Sequence, residues 1–118
     1  MRRPPSIDAY GAGGFRIDGV WRPGSLLIVE DAPRGWRPRS LADITEDDLR
    51  PILQAPPGAV EFVLLGTGTL SAPAPSVVRE ALQPRGVGLE FMASDAAARL
   101  HNVLASQGRL FATALIAM

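Results

Sequence analysis

The chain contains no cysteine and no lysine. Without cysteine, disulfides, thiolate nucleophiles and thiolate metal sites are excluded, which suits a reducing compartment. Without lysine, Schiff-base chemistry and the lysine-dependent phosphate-binding loop are excluded. All 12 basic residues are therefore arginines, balanced by 12 acidic residues to a formal charge of zero. The arginines are scattered from Arg2 to Arg109, so there is no electrostatic footprint for a nucleic-acid backbone, and no nucleic-acid partner is expected. Long apolar runs are also missing. The longest, residues 110–118, is about half the span a membrane helix requires. The start, Met1-Arg2-Arg3-Pro4-Pro5, lacks the apolar stretch of a secretory signal. These features lead us to expect a cytoplasmic chain that does not span a membrane.

What is present suits one ordered globule. At 118 residues and 47% hydrophobic, the chain can bury a core without staples, and no internal repeat or linker divides it. We expect a single α/β domain over residues 1–118, with residues 1–6 a flexible N-terminus. Asp18-Gly19 lies between Phe15-Arg16-Ile17 and Val20-Trp21-Arg22, a two-residue hairpin signal. Pro23-Gly24-Ser25 turns the chain into Leu26-Leu27-Ile28-Val29, a buried strand. Residues 31–40 hold two prolines, a glycine and three arginines, and read as the longest loop. Thr45 caps a helix that Pro51 keeps short or kinks and that Pro56-Pro57-Gly58 ends.

From residue 60 the pattern alternates: strand at 60–65, helix at 76–82, strand at 87–91, helix at 94–107, strand at 109–117. Such alternation implies right-handed crossovers and a largely parallel sheet covered on both faces. In the last helix, Ala96, Ala97, Leu100, Val103 and Leu104 recur at helical spacing and should face the sheet, with Gly108 as a left-handed stop.

Candidate sites are few. Gly66-Thr67-Gly68-Thr69 directly follows the strand Phe62-Val63-Leu64-Leu65, at the strand end where open α/β sheets bind ligands. Gly66-x-Gly68-x-x-Ser71 is one step from the dinucleotide fingerprint, with Glu90 near the position of its ribose-binding acid. The third glycine is missing and Pro73 and Pro75 delay the helix, so a tight structural turn is the favoured reading. His101, the sole histidine, has no nucleophile-elbow motif to serve and reads as a partly exposed surface residue. Asp43, Glu46, Asp47 and Asp48 lack the ligand spacing of a calcium loop and read as a solvated helix start, so no metal site and no cofactor are expected. Arg34-Gly35-Trp36-Arg37-Pro38-Arg39 interleaves guanidiniums with an indole, a combination able to stack on single-stranded nucleic acid. A mobile loop whose Trp36 tucks against the meander is preferred. Asn102 is a poor helix-interior residue, so its amide should have a specific partner, such as the loop after a neighbouring strand. Arg109 stands just past Gly108, near the same end of the sheet.

Three blocks, in order, carry a family resemblance. They are Tyr10-Gly11-Ala12-Gly13-Gly14-Phe15-Arg16-Ile17 with Gly24-Ser25-Leu26-Leu27, then Leu65-Gly66-Thr67-Gly68, then Met92-Ala93-Ser94-Asp95 through His101-Asn102-Val103-Leu104 to Gly108-Arg109. Together they resemble the family containing mitochondrial complex I (NADH:ubiquinone oxidoreductase) assembly factor 3 and its bacterial relatives. The resemblance implies a three-layer α/β fold around a central mixed sheet, with the N-terminal β-meander read above. It also implies a non-catalytic interaction or assembly module whose partner is a respiratory or membrane-insertion protein, with attachment to the inner membrane only through that partner. Ser94, His101 and Gln107 stand where threonine, tyrosine and glutamate are expected of the family. An interaction module should expose an apolar patch that includes Trp21 or Trp36. The alternative is a small-molecule or anion-binding protein, or an enzyme, built on the loop Gly66–Thr69. The candidate ligand- or partner-binding set is thus Gly66, Thr67, Gly68, Met92, Asn102 and Arg109, with no catalytic residue assigned.

Overall fold

The structure, a computed structural model, describes residues 2–118. Strands β1 (Ile7–Gly11), β2 (Gly14–Ile17) and β3 (Val20–Pro23) form an antiparallel three-stranded sheet, the expected meander. Its two turns, Ala12-Gly13 and Asp18-Gly19, take positive φ at both central residues (51° and 80°, 48° and 82°). That geometry matches the twist of the flanking strands, which is why Asp-Gly marks a hairpin.

The larger sheet contains β4 (Ser25–Val29), β5 (Ala32–Trp36), β6 (Phe62–Gly66), β7 (Gly88–Met92) and β8 (Phe111–Leu115), in the order β5-β4-β8-β6-β7. β8, β6 and β7 run parallel, whereas β4 is antiparallel to both β8 and β5. The sheet is therefore mixed rather than largely parallel. The difference arises at residues 31–40, which are not one long loop: β4 and β5 form a hairpin that pairs Val29 with Ala32 and Ser25 with Trp36. Glu30 and Asp31 make its turn at φ 50° and 64°, positions dominated by glycine, asparagine and aspartate; with glutamate first and no glycine second, the hairpin leaves little trace in the sequence.

Helices cover both faces. A 3₁₀ turn at Leu41–Asp43, a second 3₁₀ turn at Glu46–Leu49 running into helix α1 (Arg50–Leu53), and helix α2 (Ser76–Leu82) pack on one face. The core there joins Leu27, Val63, Leu65 and Ala114 of the sheet to Leu49, Ile52, Val78 and Leu82. Helix α3 (Ser94–Ser106) and the meander share the other face, around Leu26, Ile28, Leu64 and Leu115. The result is a single compact domain of three layers around a central mixed sheet.

Two local expectations change. Trp36 is 7% exposed and lies not against the meander but in the helical layer on the opposite face, with its indole nitrogen donating to the Asp48 carbonyl at 3.0 Å. On α3 the buried residues are Ser94, Ala97, Ala98 and His101, while Val103 is exposed. The helix packs against the meander as well as the sheet, so its buried face is rotated toward the polar residues, which the hydrophobic pattern alone does not weigh.

Candidate functional site

The loop after β6 sits where the carboxyl ends of β6, β7 and β8 meet. Connections leave there in both directions, with α2 on one face and α3 on the other, and in open α/β sheets such a crevice takes a ligand. Here the chain fills it. The Thr67 amide donates to the Met92 carbonyl (2.8 Å), and the Gly68 amide donates to the Ser94 hydroxyl oxygen (2.9 Å). That hydroxyl donates in turn to the Ile116 carbonyl (2.7 Å), while the Ser94 amide returns to the Gly68 carbonyl (2.8 Å). The Thr67 hydroxyl lies 2.7 Å from the Leu70 carbonyl and 3.1 Å from that of Met92. The Thr67 and Gly68 amides are thus already bonded within the protein and are not free to cradle a phosphate.

The glycines are explained by the same packing. A Cβ on Gly66 would stand 2.7 Å from both the Ser94 hydroxyl and a Leu115 methyl. Gly68 holds φ at 105°, a conformation costly to any residue with a side chain. Gly66, Thr67 and Gly68 are all buried, and Met92, half-buried, contributes its carbonyl to the turn. Those four candidate residues are brought together.

Asn102 and Arg109 are not brought to them. Asn102 lies eight residues along α3 from Ser94, about 12 Å at the helical rise. Its partner is β1 rather than a strand-end loop: the Ile7 amide donates to Asn102 Oδ1 (2.9 Å), and Asn102 Nδ2 donates to the Ile7 carbonyl (2.8 Å). The side-chain amide thus acts as one more rung on the edge of the meander. Arg109 places its guanidinium over the Phe62 ring, 5.0 Å from the centroid, and that ring stacks on Phe111 at 5.4 Å. Phe62 begins β6 and Gly66 ends it, so Arg109 is near the opposite end of the strand, about 13 Å away.

His101 is 2% exposed, contrary to the partly exposed position expected of it. Its Nε2 is 2.8 Å from the Pro5 carbonyl, which can only accept, so the proton resides there. Nδ1 is then the acceptor for the Thr113 hydroxyl, also at 2.8 Å. Burial pushes its pKa below the ordinary histidine value, opposed by the Pro5 carbonyl and the charges of Asp31 and Asp18. A general base needs a free lone pair on the reacting side. This one is occupied. Ser94, Thr113 and the Pro5 carbonyl had no distinguishing signal in the sequence, because their roles depend on contacts 12 to 96 residues away.

The acidic cluster is likewise occupied. Asp48 accepts from the Thr45 amide (2.8 Å) and hydroxyl (3.0 Å) in a capping box, and from Arg37 Nε (2.9 Å) and Nη2 (2.6 Å). The Arg37 hydrogen bonds hold the Asp48 carboxyl below its usual range. Arg50 pairs with Asp47. Among the described residues no group of three or more His, Cys, Asp or Glu side chains could hold a metal ion. With Trp36 buried and Arg37 committed to Asp48, residues 34–39 do not present the interleaved stacking platform their order suggested. A groove of about 430 Å³ between α1 and the turn after α2 is lined by Glu46, Asp47, Arg50, Leu53, Gln54 and Arg85, none of them in the candidate set. Of the two tryptophans, Trp21 is exposed (47%), lying across Gly14 on the outer face of the meander. No helix among the described residues is long and apolar enough to cross a membrane.

The chain is 39% identical over 112 residues to an uncharacterized protein of Rhodobacter capsulatus, covering 95% of this chain and 84% of that one. It is 32% identical over 110 residues to human NADH dehydrogenase [ubiquinone] 1 alpha subcomplex assembly factor 3, covering 93% of this chain and 59% of the human protein. The chain thus spans about three fifths of the assembly factor. A crystal structure described as an outer membrane protein of Bartonella henselae superposes with a TM-score of 0.89 at 30% identity, covering 97% of this chain and 95% of that one. Residues 7–116 match the model of one family, and the chain belongs to it: the proteins of unknown function DUF498/DUF598.

Proposed function

We propose that the chain is a non-catalytic interaction module that helps assemble a respiratory membrane complex of the NADH dehydrogenase type. The observation that carries this reading is the likeness, over 93% of the chain, to proteins named as assembly factors of that enzyme. The polar groups support it. His101, Asn102, Ser94 and Asp48 each spend their hydrogen-bonding capacity on the chain's own backbone or side chains. A module of this kind works in the cytoplasm and meets the inner membrane through a respiratory or membrane-insertion partner. It uses neither cofactor nor nucleic acid.

Deleting the gene in its own host and resolving the membrane complexes on a native gel tests the reading. Loss of assembled NADH dehydrogenase, with its subunits still synthesised, is the expected result. A deletion strain with a normal amount of assembled, active enzyme overturns it.

A further inference from the structure

The two sheets have four edges, and three are closed or guarded. β1 is blocked at Ile7 by the Asn102 side chain of the adjoining α3, which takes both backbone groups of that residue. β3 carries Arg22 and Pro23, and β5 carries Pro33 and Arg34, the residue types that keep an edge from pairing with another chain. β7, Gly-Leu-Glu-Phe-Met, has no proline and no cation, and it forms the outer edge of the large sheet.

The ladder defines what that edge offers. The Gly88 amide donates inward to the Glu61 carbonyl (2.9 Å), and the Met92 carbonyl accepts inward from the Thr67 amide (2.8 Å). In a parallel pair alternate residues bond to one neighbour, so Gly88, Glu90 and Met92 serve β6. Leu89 and Phe91 therefore direct both N–H and C=O outward. Phe91 pairs with Leu65 on the α2 face and is 44% exposed. Between them Glu90 pairs with Leu64 on the α3 face and is exposed, and its carboxylate makes no hydrogen bond or ion pair among the described residues.

The geometry points to β7 as an acceptor for an extended segment of a protein partner, a segment with apolar residues opposite Leu89 and Phe91 and an arginine or lysine opposite Glu90. Backbone groups provide the attachment and the carboxylate provides the selection. A second copy of this chain fits less well. The two-fold register that uses both outward residues pairs Leu89 with Phe91 of the other copy and sets Glu90 against Glu90, about 4.5 Å apart at Cα. Like charges directly opposite oppose pairing. This inference rests on the proposed interaction role and identifies the surface that serves it.

The test uses the full chain, isotopically labelled for NMR, and a synthetic eight-residue peptide alternating valine and threonine around a central arginine. A matched peptide carries glutamate at that position. The arginine peptide should slow amide exchange at Leu89 and Phe91, with shifts confined to residues 87–93. It should bind more tightly than the glutamate peptide by up to about fivefold, the worth of one cross-strand charge pair. Glu90→Arg should reverse that preference. Phe91→Pro, which removes an outward amide and no inward one, should abolish binding while the rest of the spectrum is preserved. No protection of these amides at about 1 mM peptide, the weak end of specific binding, overturns the inference. So does protection that needs no peptide and grows with protein concentration, which is self-pairing. If either outcome accompanies an assembly defect in the deletion strain, the partner docks elsewhere and the interaction role itself stands.

Discussion

Replacing Asn102 by alanine separates a structural clamp from a ligand contact. The side chain holds both backbone groups of Ile7, at 2.9 and 2.8 Å, in a partly buried position. Truncation leaves one donor and one acceptor without partners. Each costs about 1–3 kcal/mol when water is excluded, and the lower bound applies where water can reach. Two such groups amount to about 2 kcal/mol. Alanine recovers about 0.6 kcal/mol through its higher helix propensity. The net expectation is a loss of about 1.5 kcal/mol. In urea, with m near 1–3 kcal/mol per molar, the midpoint should fall by roughly 0.5–1.5 M with m unchanged. Asn102→Asp should cost more, because a carboxylate accepts from the Ile7 amide but faces the Ile7 carbonyl without a donor. Urea titration followed by circular dichroism measures both variants. Unchanged or raised stability in Asn102→Ala would refute the clamp and return Asn102 to the pool of ligand-binding groups.

Other perturbations follow from the same contacts. His101 is buried and neutral, its folded pKa depressed from 6.5, so the unfolded chain binds the proton more readily. Stability should be level above that pH and decline below it, by at most about 1.4 kcal/mol per pH unit, and that slope should be missing from His101→Gln in a pH series of urea melts. Gly66→Ala forces a Cβ to 2.7 Å from Ser94 and Leu115, and should cost about 1–3 kcal/mol in the same assay. Ser94→Ala leaves the Gly68 amide and Ile116 carbonyl buried and unpaired, so thermal unfolding should show a loss of about 2 kcal/mol or more. Asp48, held below 3.8 by Arg37 and Thr45, contributes stability above that pH that is lost as pH falls; Asp48→Asn should flatten the acid limb and remove its salt dependence.

The parts of the fold that were legible in the sequence are those whose signals are local. Asp18-Gly19 marks its hairpin because φ is positive at both residues, and Thr45 with Asp48 marks its cap because the partners lie three residues apart. The alternation from residue 60 placed β6, α2, β7, α3 and β8 to within two residues. The β4–β5 hairpin stayed hidden because its turn uses Glu30 and Asp31, and Pro33 and Gly35 are weak strand formers. The burial of His101 is not legible locally, because a histidine beside an apolar stripe is buried only if distant groups satisfy both nitrogens, as Pro5 and Thr113 do. Of the candidate site, the sequence identified the turn at Gly66–Gly68 as special but not the reason. The partner that fills it, Ser94, lies 26 residues on from Gly68.

The most direct measurement returns to the deletion host. There the amount of assembled NADH dehydrogenase is measured after complementation with His101→Gln, whose side chain can still donate to Pro5 and accept from Thr113 but cannot serve as a titrating base. Restoration in proportion to the folded protein present is expected. Folded variant at the wild-type level with no assembled enzyme would contradict a non-catalytic role.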